Sequence, residues 1–326
     1  HASGSGEREA FGLLPRRIHI PLQSPAFTPR ALFERFNIET GADPFGTFRT
    51  VDYGDVIVSP GDVIESHKRM TIKVKEVLEA DGIPVMLGGD HSITYANVRA
   101  FQKKYKNIGM IHFDTHADCA PQGLTGFKYD HGAHIRRIME MGCLKGKNYS
   151  LVGPRGYWPG RDLYKWMSDQ DFQWFTMLDV EELGIDVIAK EIADRANDGT
   201  DAVYLSWDID SFDPAVAPGT GEPEPNGLTS REGMRMVRQL SKSFDPDRFA
   251  MDLVEIAPAY DVSDNNSYNG GITSGLGQRL VIELLAGLSL TKRGLDEGDP
   301  VRPNAYMGTG NTYSFGNPTS KIPKRD

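Results

Sequence analysis

The sequence predicts an α/β fold, a single three-layer α/β/α domain with a mostly parallel sheet. Three observations predict it. Short apolar runs alternate with helical periodicities from Asp62 onward. Successive strands separated by helices can pair only in parallel, with helices covering both faces. The chain of 326 residues, 39% hydrophobic and 25% charged, fits one globular domain of the size common among α/β enzymes.

The elements follow in order. A helix over Asp62 to Ala80 places Ile64, Val74, Val77 and Leu78 on one face. The run IPVML, Ile83 to Leu87, is a strand, and a Gly-Gly turn leads into a helix from Ser92 to Tyr105. Ile108 to Phe113 is the next buried strand. Further strands are expected at Tyr149 to Val152, Gln173 to Met177, Ala202 to Trp207 and Phe249 to Leu253. Helices are expected over Asp162 to Ser168, Glu181 to Ala196 and Ser274 to Leu288, and from Thr229, where Thr229 and Glu232 have capping-box spacing.

Domain organisation follows. Residues 1–6, HASGSG, read as a tag remnant, and 7–61 as a segment packing on the domain or on a neighbouring subunit. Residues 62–295 form the catalytic domain, and the Gly-, Asn-, Pro- and Ser-rich stretch 296–326 an extended arm.

A net charge of −9 argues against nucleic-acid and anionic-membrane partners, both of which select basic faces. The longest apolar run, near Leu280 to Leu290, contains Glu283 and is too short to span a bilayer. Two cysteines, Cys119 and Cys143, make no disulfide framework or zinc spacing, so a reducing cytoplasm is expected.

Ligands of open parallel sheets bind beyond the carboxyl ends of the strands. The acidic and histidine clusters fall there: Asp90-His91, Asp114 to Asp118, Asp208-Asp210 and Glu255 each follow an expected strand. In HFDTHAD an extended backbone would turn Asp114, His116 and Asp118 to one side, and Asp208 and Asp210 in SWDIDSFDP repeat the spacing. An isolated DxD is ordinarily a surface turn. Several such clusters on one rim are a metal site. Carboxylates and imidazoles without thiolates select Mn²⁺, Ni²⁺, Co²⁺ or Fe²⁺, and six ligands (His91, Asp114, His116, Asp118, Asp208, Asp210) suit two divalent ions.

The motifs GGDHS (Gly88 to Ser92), DTHAD (Asp114 to Asp118), SWDIDSFDP, APGTGEPEPNGLT and EIAP (Glu255 to Pro258) together resemble the ureohydrolase family of arginases and agmatinases, in its order and spacing. The resemblance covers nearly everything from Asp43 to Leu290. It implies the arginase-like fold, with one ion held by His91, Asp114, Asp118 and Asp208. The second would be held by Asp114, His116, Asp208 and Asp210. It further implies that Asp118 orients a metal-bridging hydroxide, that Glu255 pairs with a guanidinium, and that His131 in DHGAH shuttles protons. His134 is read as structural, Cys119 and Trp207 as packing, and Gly88, Gly89 and Gly219 to Gly221 as turn formers.

The expected reaction is hydrolysis of a guanidine-type C–N bond of a small cationic guanidino substrate, giving urea or a urea derivative and an amine, with Mn²⁺ or Ni²⁺ as cofactor. The loop CAPQGLTGFKYD lacks the Ser/Asn pattern of arginases, which disfavours arginine. The stretch APAYDVSDNNSYNGGITS is longer than the usual agmatinase version, which disfavours agmatine. The Asp-Thr-His variant, the Trp before Asp208 and these altered loops together resemble the branch of guanidine and metformin hydrolases, some nickel-dependent. A deacetylase on a related fold is a further alternative, as is a non-catalytic subunit paired with a paralogue. The family resemblance also implies a homo-oligomer, trimer or hexamer.

Overall fold

The computed structural model describes residues 37, 39–123, 126–157, 160–262 and 271–295. The expected tag remnant, the C-terminal arm, most of the N-terminal segment and part of the loop after Glu255 lie outside the described residues.

Among the described residues six strands form one sheet: β1 (Val85–Leu87), β2 (Ile108–Phe113), β3 (Leu144–Val152), β4 (Gln173–Phe175), β5 (Ala202–Asp208) and β6 (Phe249–Val254). Their order is β1-β6-β5-β2-β3-β4, and every pairing is parallel. The helices are α1 (Pro44–Thr47), α2 (Val63–Glu79), α3 (Ile93–Lys104), α4 (His134–Glu140), α5 (Arg161–Asp169), α6 (Met177–Leu183), α7 (Ile185–Asn197), α8 (Ser230–Ser241) and α9 (Ile272–Arg293). The expected three-layer α/β/α fold is the one found.

Period-two alternation divides the sheet into two apolar faces. Ile111, Phe113, Val203, Leu205, Trp207, Met251 and Leu253 pack against α6 to α9. Ile108, Met110, Tyr149, Leu151, Tyr204 and Ala250 pack against α2 to α5. The second face also carries a row of polar residues: His112, Ser206 and Asp252 are cross-strand neighbours on β2, β5 and β6, all fully buried.

Element ends differ from expectation where side chains cap the backbone. The helix expected over Glu181 to Ala196 is two helices, separated at Gly184, whose φ of +80° only glycine adopts without strain. Thr176 ends β4 early by capping α6 with Asp179 in a reciprocal box. The Thr229–Glu232 box forms as expected, with Glu232 Oε2 accepting the Thr229 N–H at 2.7 Å. β3 starts at Leu144, five residues before the expected Tyr149, because its exposed Lys145 and Lys147 alternate with buried positions. Helix α4 had no sequence expectation. Glu283 lies inside the apolar α9 because Asn37, Arg238 and Arg279 all reach its carboxylate.

Candidate metal centre

Four strand ends assemble the site. Asp114 follows β2, Asp208 closes β5, Glu255 follows β6, and β1 leads through Gly88–Asp90 to His91 at the start of α3. Gly88 matters through space rather than dihedral angle: a Cβ there would lie 2.1 Å from Ile93 Cδ1 and 3.1 Å from Val254 Cγ1. A side chain there would displace Ile93, in the first turn of α3, from its packing with Val254 of β6.

The carboxylates converge through turns, not through the extended alternation that their spacing suggested. Asp114 accepts the His116 N–H at 2.5 Å, and Asp208 accepts the Asp210 N–H at 2.8 Å, so each Asp closes a turn over the residue two places on. Asp210 in turn accepts the Thr115 N–H at 3.1 Å, joining the two loops. Asp118 takes up a left-handed conformation, φ +46°, and Glu255 another, φ +62°. Non-glycine residues hold such backbone only where surrounding contacts impose it, commonly at functional sites.

Two clusters result. His91 Nδ1 lies 3.0 Å from Asp208 Oδ2, 3.1 Å from Asp114 Oδ2 and 3.3 Å from Asp118 Oδ2. His116 Nδ1 lies 3.1 Å from Asp210 Oδ2 and 3.5 Å from Asp114 Oδ1. Asp114 thus offers one oxygen to each group. Both sets, His91–Asp114–Asp208 and Asp114–His116–Asp210, have metal-ligand spacing. Without a cation, burial together with the charges of Asp210 and Asp114 pushes the Asp208 carboxyl well above its usual range. Burial and Asp114 raise Asp210 to about 6. So many buried carboxylates around two imidazoles are mutually destabilising, and divalent ions are the natural compensation. The residues fit the group.

Glu255, partly buried, accepts the backbone N–H of His91 at 2.6 Å. Burial and the neighbouring Asp90 push its carboxyl up to about 8, against the pull of His131 and His91. His131 lies in a 3-10 turn, Asp130 capping it through the Gly132 N–H at 3.0 Å. Burial opposes its charge, but Glu255, Asp118, Asp130 and Asp90 outweigh it and raise the imidazole to about 9. His91, Asp114, His116, Asp118, Asp208, Asp210 and Glu255 are thus joined by direct contacts, and the charges of Glu255 and Asp118 act on His131.

His134, read as structural, is fully buried and stacks on His91 with ring centroids 4.1 Å apart. Its Nδ1–H donates to the His131 carbonyl at 2.8 Å. Trp207 is buried and stacks on Phe113, and Cys119, next to Asp118 in the chain, is buried.

Sequence reasoning gave no role to the residues behind the expected ligands. His112 bridges Asp114 Oδ2 and the Tyr149 hydroxyl, each at 2.8 Å. Ser206 meets His91 Nε2 at 2.8 Å. The Arg155 guanidinium donates to the carbonyls of Gly153, Asp210, Ser211, Phe212, Glu224 and Pro225, tying the end of β3 to both loops after β5. A charged residue inside a buried strand, such as Asp252 in FAMDLV, was the available signal.

A family model described as the arginase family matches residues 22–287. The chain belongs to the arginase family. The mitochondrial agmatinase of Gallus gallus is 35% identical over 254 residues, 78% of this chain and 71% of the relative. The guanidinobutyrase of Pseudomonas aeruginosa is 32% identical, spanning 85% of each chain. Among solved structures, proclavaminate amidino hydrolase from Streptomyces clavuligerus superposes with a TM-score of 0.71 at 28% identity, covering 86% of this chain and 85% of that one. Arginase-family relatives of this kind are named hydrolases, which bears out the expectation of a ureohydrolase-type enzyme of the agmatinase-like branch. Among the described residues no helix is long and apolar enough to cross a membrane.

Proposed function

We propose that this chain is a binuclear-metal amidinohydrolase that cleaves a guanidine-type C–N bond of a small cationic guanidino compound, releasing urea or a urea derivative and an amine. The observation that carries the reading is Asp114, whose two oxygens lie 3.1 Å from His91 Nδ1 and 3.5 Å from His116 Nδ1. A carboxylate shared between two histidine-containing clusters suits two ions better than one.

His91, Asp114, Asp118 and Asp208 would hold one ion, and Asp114, His116, Asp208 and Asp210 the other. When bound, the two ions supply a water ionised near neutral pH and positive charge at the reacting centre. A sulfur-free donor set matches Mn²⁺ or Ni²⁺.

The chain's own groups do the rest. Glu255 pairs with the guanidinium through charge-assisted hydrogen bonds and fixes the position of its central carbon. Burial raises the carboxyl to about 8, and an arriving cation restores the ionised form. Asp118 orients the attacking water. His131, raised to about 9, holds a proton at neutral pH. It delivers that proton to the departing nitrogen as the C–O bond forms and the C–N bond breaks.

Relatives named agmatinase, guanidinobutyrase and guanidinopropionase differ in what the guanidino group is attached to, and this family range supports a small guanidino substrate here. All six expected ligands are present, against a catalytically silent subunit. Both cysteines are free and buried, in keeping with a cytoplasmic enzyme. A homo-oligomer, trimeric or hexameric, is part of the same reading.

The test is a panel of agmatine, 4-guanidinobutyrate, guanidine and metformin offered to Mn²⁺- and Ni²⁺-loaded protein, with detection of urea, guanylurea and amine. Turnover of at least one is expected. Inactivity towards all four contradicts the reading.

A further inference from the structure

Beneath His91 lies a buried polar relay. His91 Nε2 is 2.8 Å from Ser206 Oγ, and the Ser206 hydroxyl donates to Asp252 Oδ1 at 2.7 Å. The other carboxylate oxygen, Asp252 Oδ2, accepts from Thr94 Oγ1 at 2.8 Å, Asn97 Nδ2 at 3.2 Å and the Tyr204 hydroxyl at 2.5 Å. Asp252, Ser206, Thr94 and Tyr204 are fully buried, and Asn97 is 1% exposed.

We propose that Asp252 is a positioning residue that, through Ser206, fixes the His91 imidazole with its proton on Nε2 and its Nδ1 lone pair towards Asp114, Asp118 and Asp208. This rests on the reading of those residues as metal ligands.

The argument is one of proton counting. Asp252 is an acceptor, so the hydroxyl proton of Ser206 is committed to it. The Ser206 oxygen can then only accept from the ring, which places a hydrogen on Nε2 and leaves Nδ1 to coordinate. Sheet register makes the chain of contacts rigid, because Ser206 and Asp252 are direct cross-strand partners on β5 and β6. Three further donors on Oδ2 fix the carboxylate's rotation. Residues behind a metal-binding imidazole set its tautomer and orientation, and their loss typically weakens metal affinity about 10- to 100-fold.

Asp252→Asn makes the inference sharp. With three donors converging on the Oδ2 position, the new amide must keep its oxygen there and turn its NH₂ towards Ser206. The serine then accepts from the amide and donates its own hydrogen to Nε2, forcing the ring proton onto Nδ1 and closing the coordinating site. Ser206→Ala removes the relay without inverting it.

Co²⁺ serves as the probe. Full-length wild type, Asp252→Asn and Ser206→Ala are titrated with it, and thermal unfolding of the metal-free proteins shows how much folded protein each holds. Proton NMR of the loaded proteins reads the shifted, exchangeable imidazole N–H, assigned to His91 by its loss in His91→Asn. The expected results are about 10- to 100-fold weaker Co²⁺ binding by folded Asp252→Asn, a smaller loss in Ser206→Ala, and a protected His91 N–H in the wild type alone. Should Asp252→Asn fail to fold, Ser206→Ala carries the test. Unchanged Co²⁺ affinity and an unchanged His91 N–H signal in a folded variant overturn the relay. A wild type that binds no Co²⁺ contradicts the metal reading itself, and the two failures are thereby distinguished.

Discussion

Glu255 accepts the backbone N–H of His91 at 2.6 Å, so the carboxylate assigned to substrate is tied directly to the backbone of the residue whose imidazole is assigned to metal. Glu255 leaves β6 with φ +62°, and its own N–H donates to the Gly89 carbonyl at 2.9 Å, so its backbone as well as its side chain is tied to the loop after β1. The residue proposed for substrate and the residue proposed for metal are therefore mechanically linked while their proposed chemistry stays separate.

Separate chemistry is testable. Glu255→Gln retains a side-chain acceptor for the His91 N–H and loses the charge that pairs with a guanidinium. Loss of one partner of a buried charged pair costs about 2–5 kcal/mol. Metal content should match the wild type by elemental analysis while kcat/KM falls roughly 30- to 5,000-fold. Loss of metal along with activity would show that Glu255 holds the centre together instead.

Asp114→Asn and Asp208→Asn each replace a carboxylate that both ions are expected to share. Both variants should lose activity together with bound metal. An Asp208→Asn protein with full activity refutes the shared assignment of Asp208.

Arg155→Lys probes the clamp behind the loops. A guanidinium spanning the carbonyls of Gly153, Asp210, Phe212 and Pro225 cannot be copied by an ammonium with three donors. Destabilisation of about 1.5–3 kcal/mol is expected from hydrogen bonds to a charged group, read by urea unfolding, with metal affinity weakened as Asp210 loosens. Equal stability of variant and wild type would show that the loops hold without it.

His67 gives a pH dependence outside the ligand set. It is 2% exposed, with Nε2 3.1 Å from Ser92 Oγ. Burial, outweighing the nearby Asp90, lowers its pKa from 6.5 to about 4. Between those values the unfolded chain binds more protons than the folded one. The stabilisation is thus complete above about pH 6.5 and is lost as pH falls towards 4, a loss of about 3 kcal/mol. Urea unfolding in chelator at pH 7 and pH 4.5 should show a steeper acid loss for the wild type than for His67→Gln. Parallel losses would remove His67 from the account.

Much of this is legible in the sequence. The parallel sheet followed from alternating periods, and the convergence of carboxylates and histidines from their places after strands. What was not legible depends on contacts distant in sequence. Asp118 and Glu255 adopt left-handed backbone that no local pattern requires. Gly184 divides a continuous helical periodicity, since its effect is on φ rather than on hydrophobicity. The relay from Asp252 to His91 crosses 161 residues of chain through a cross-strand pairing, and only sheet register reveals it.

The central claim, two ions sharing Asp114, is tested most directly by metal stoichiometry. Purified protein saturated with Mn²⁺ or Ni²⁺ and freed of excess should retain about two ions per chain by elemental analysis, with urea-forming activity lost on chelation and regained on reloading. Well below one ion per chain after supplementation, or guanidine-bond hydrolysis undiminished by chelation, would contradict the account.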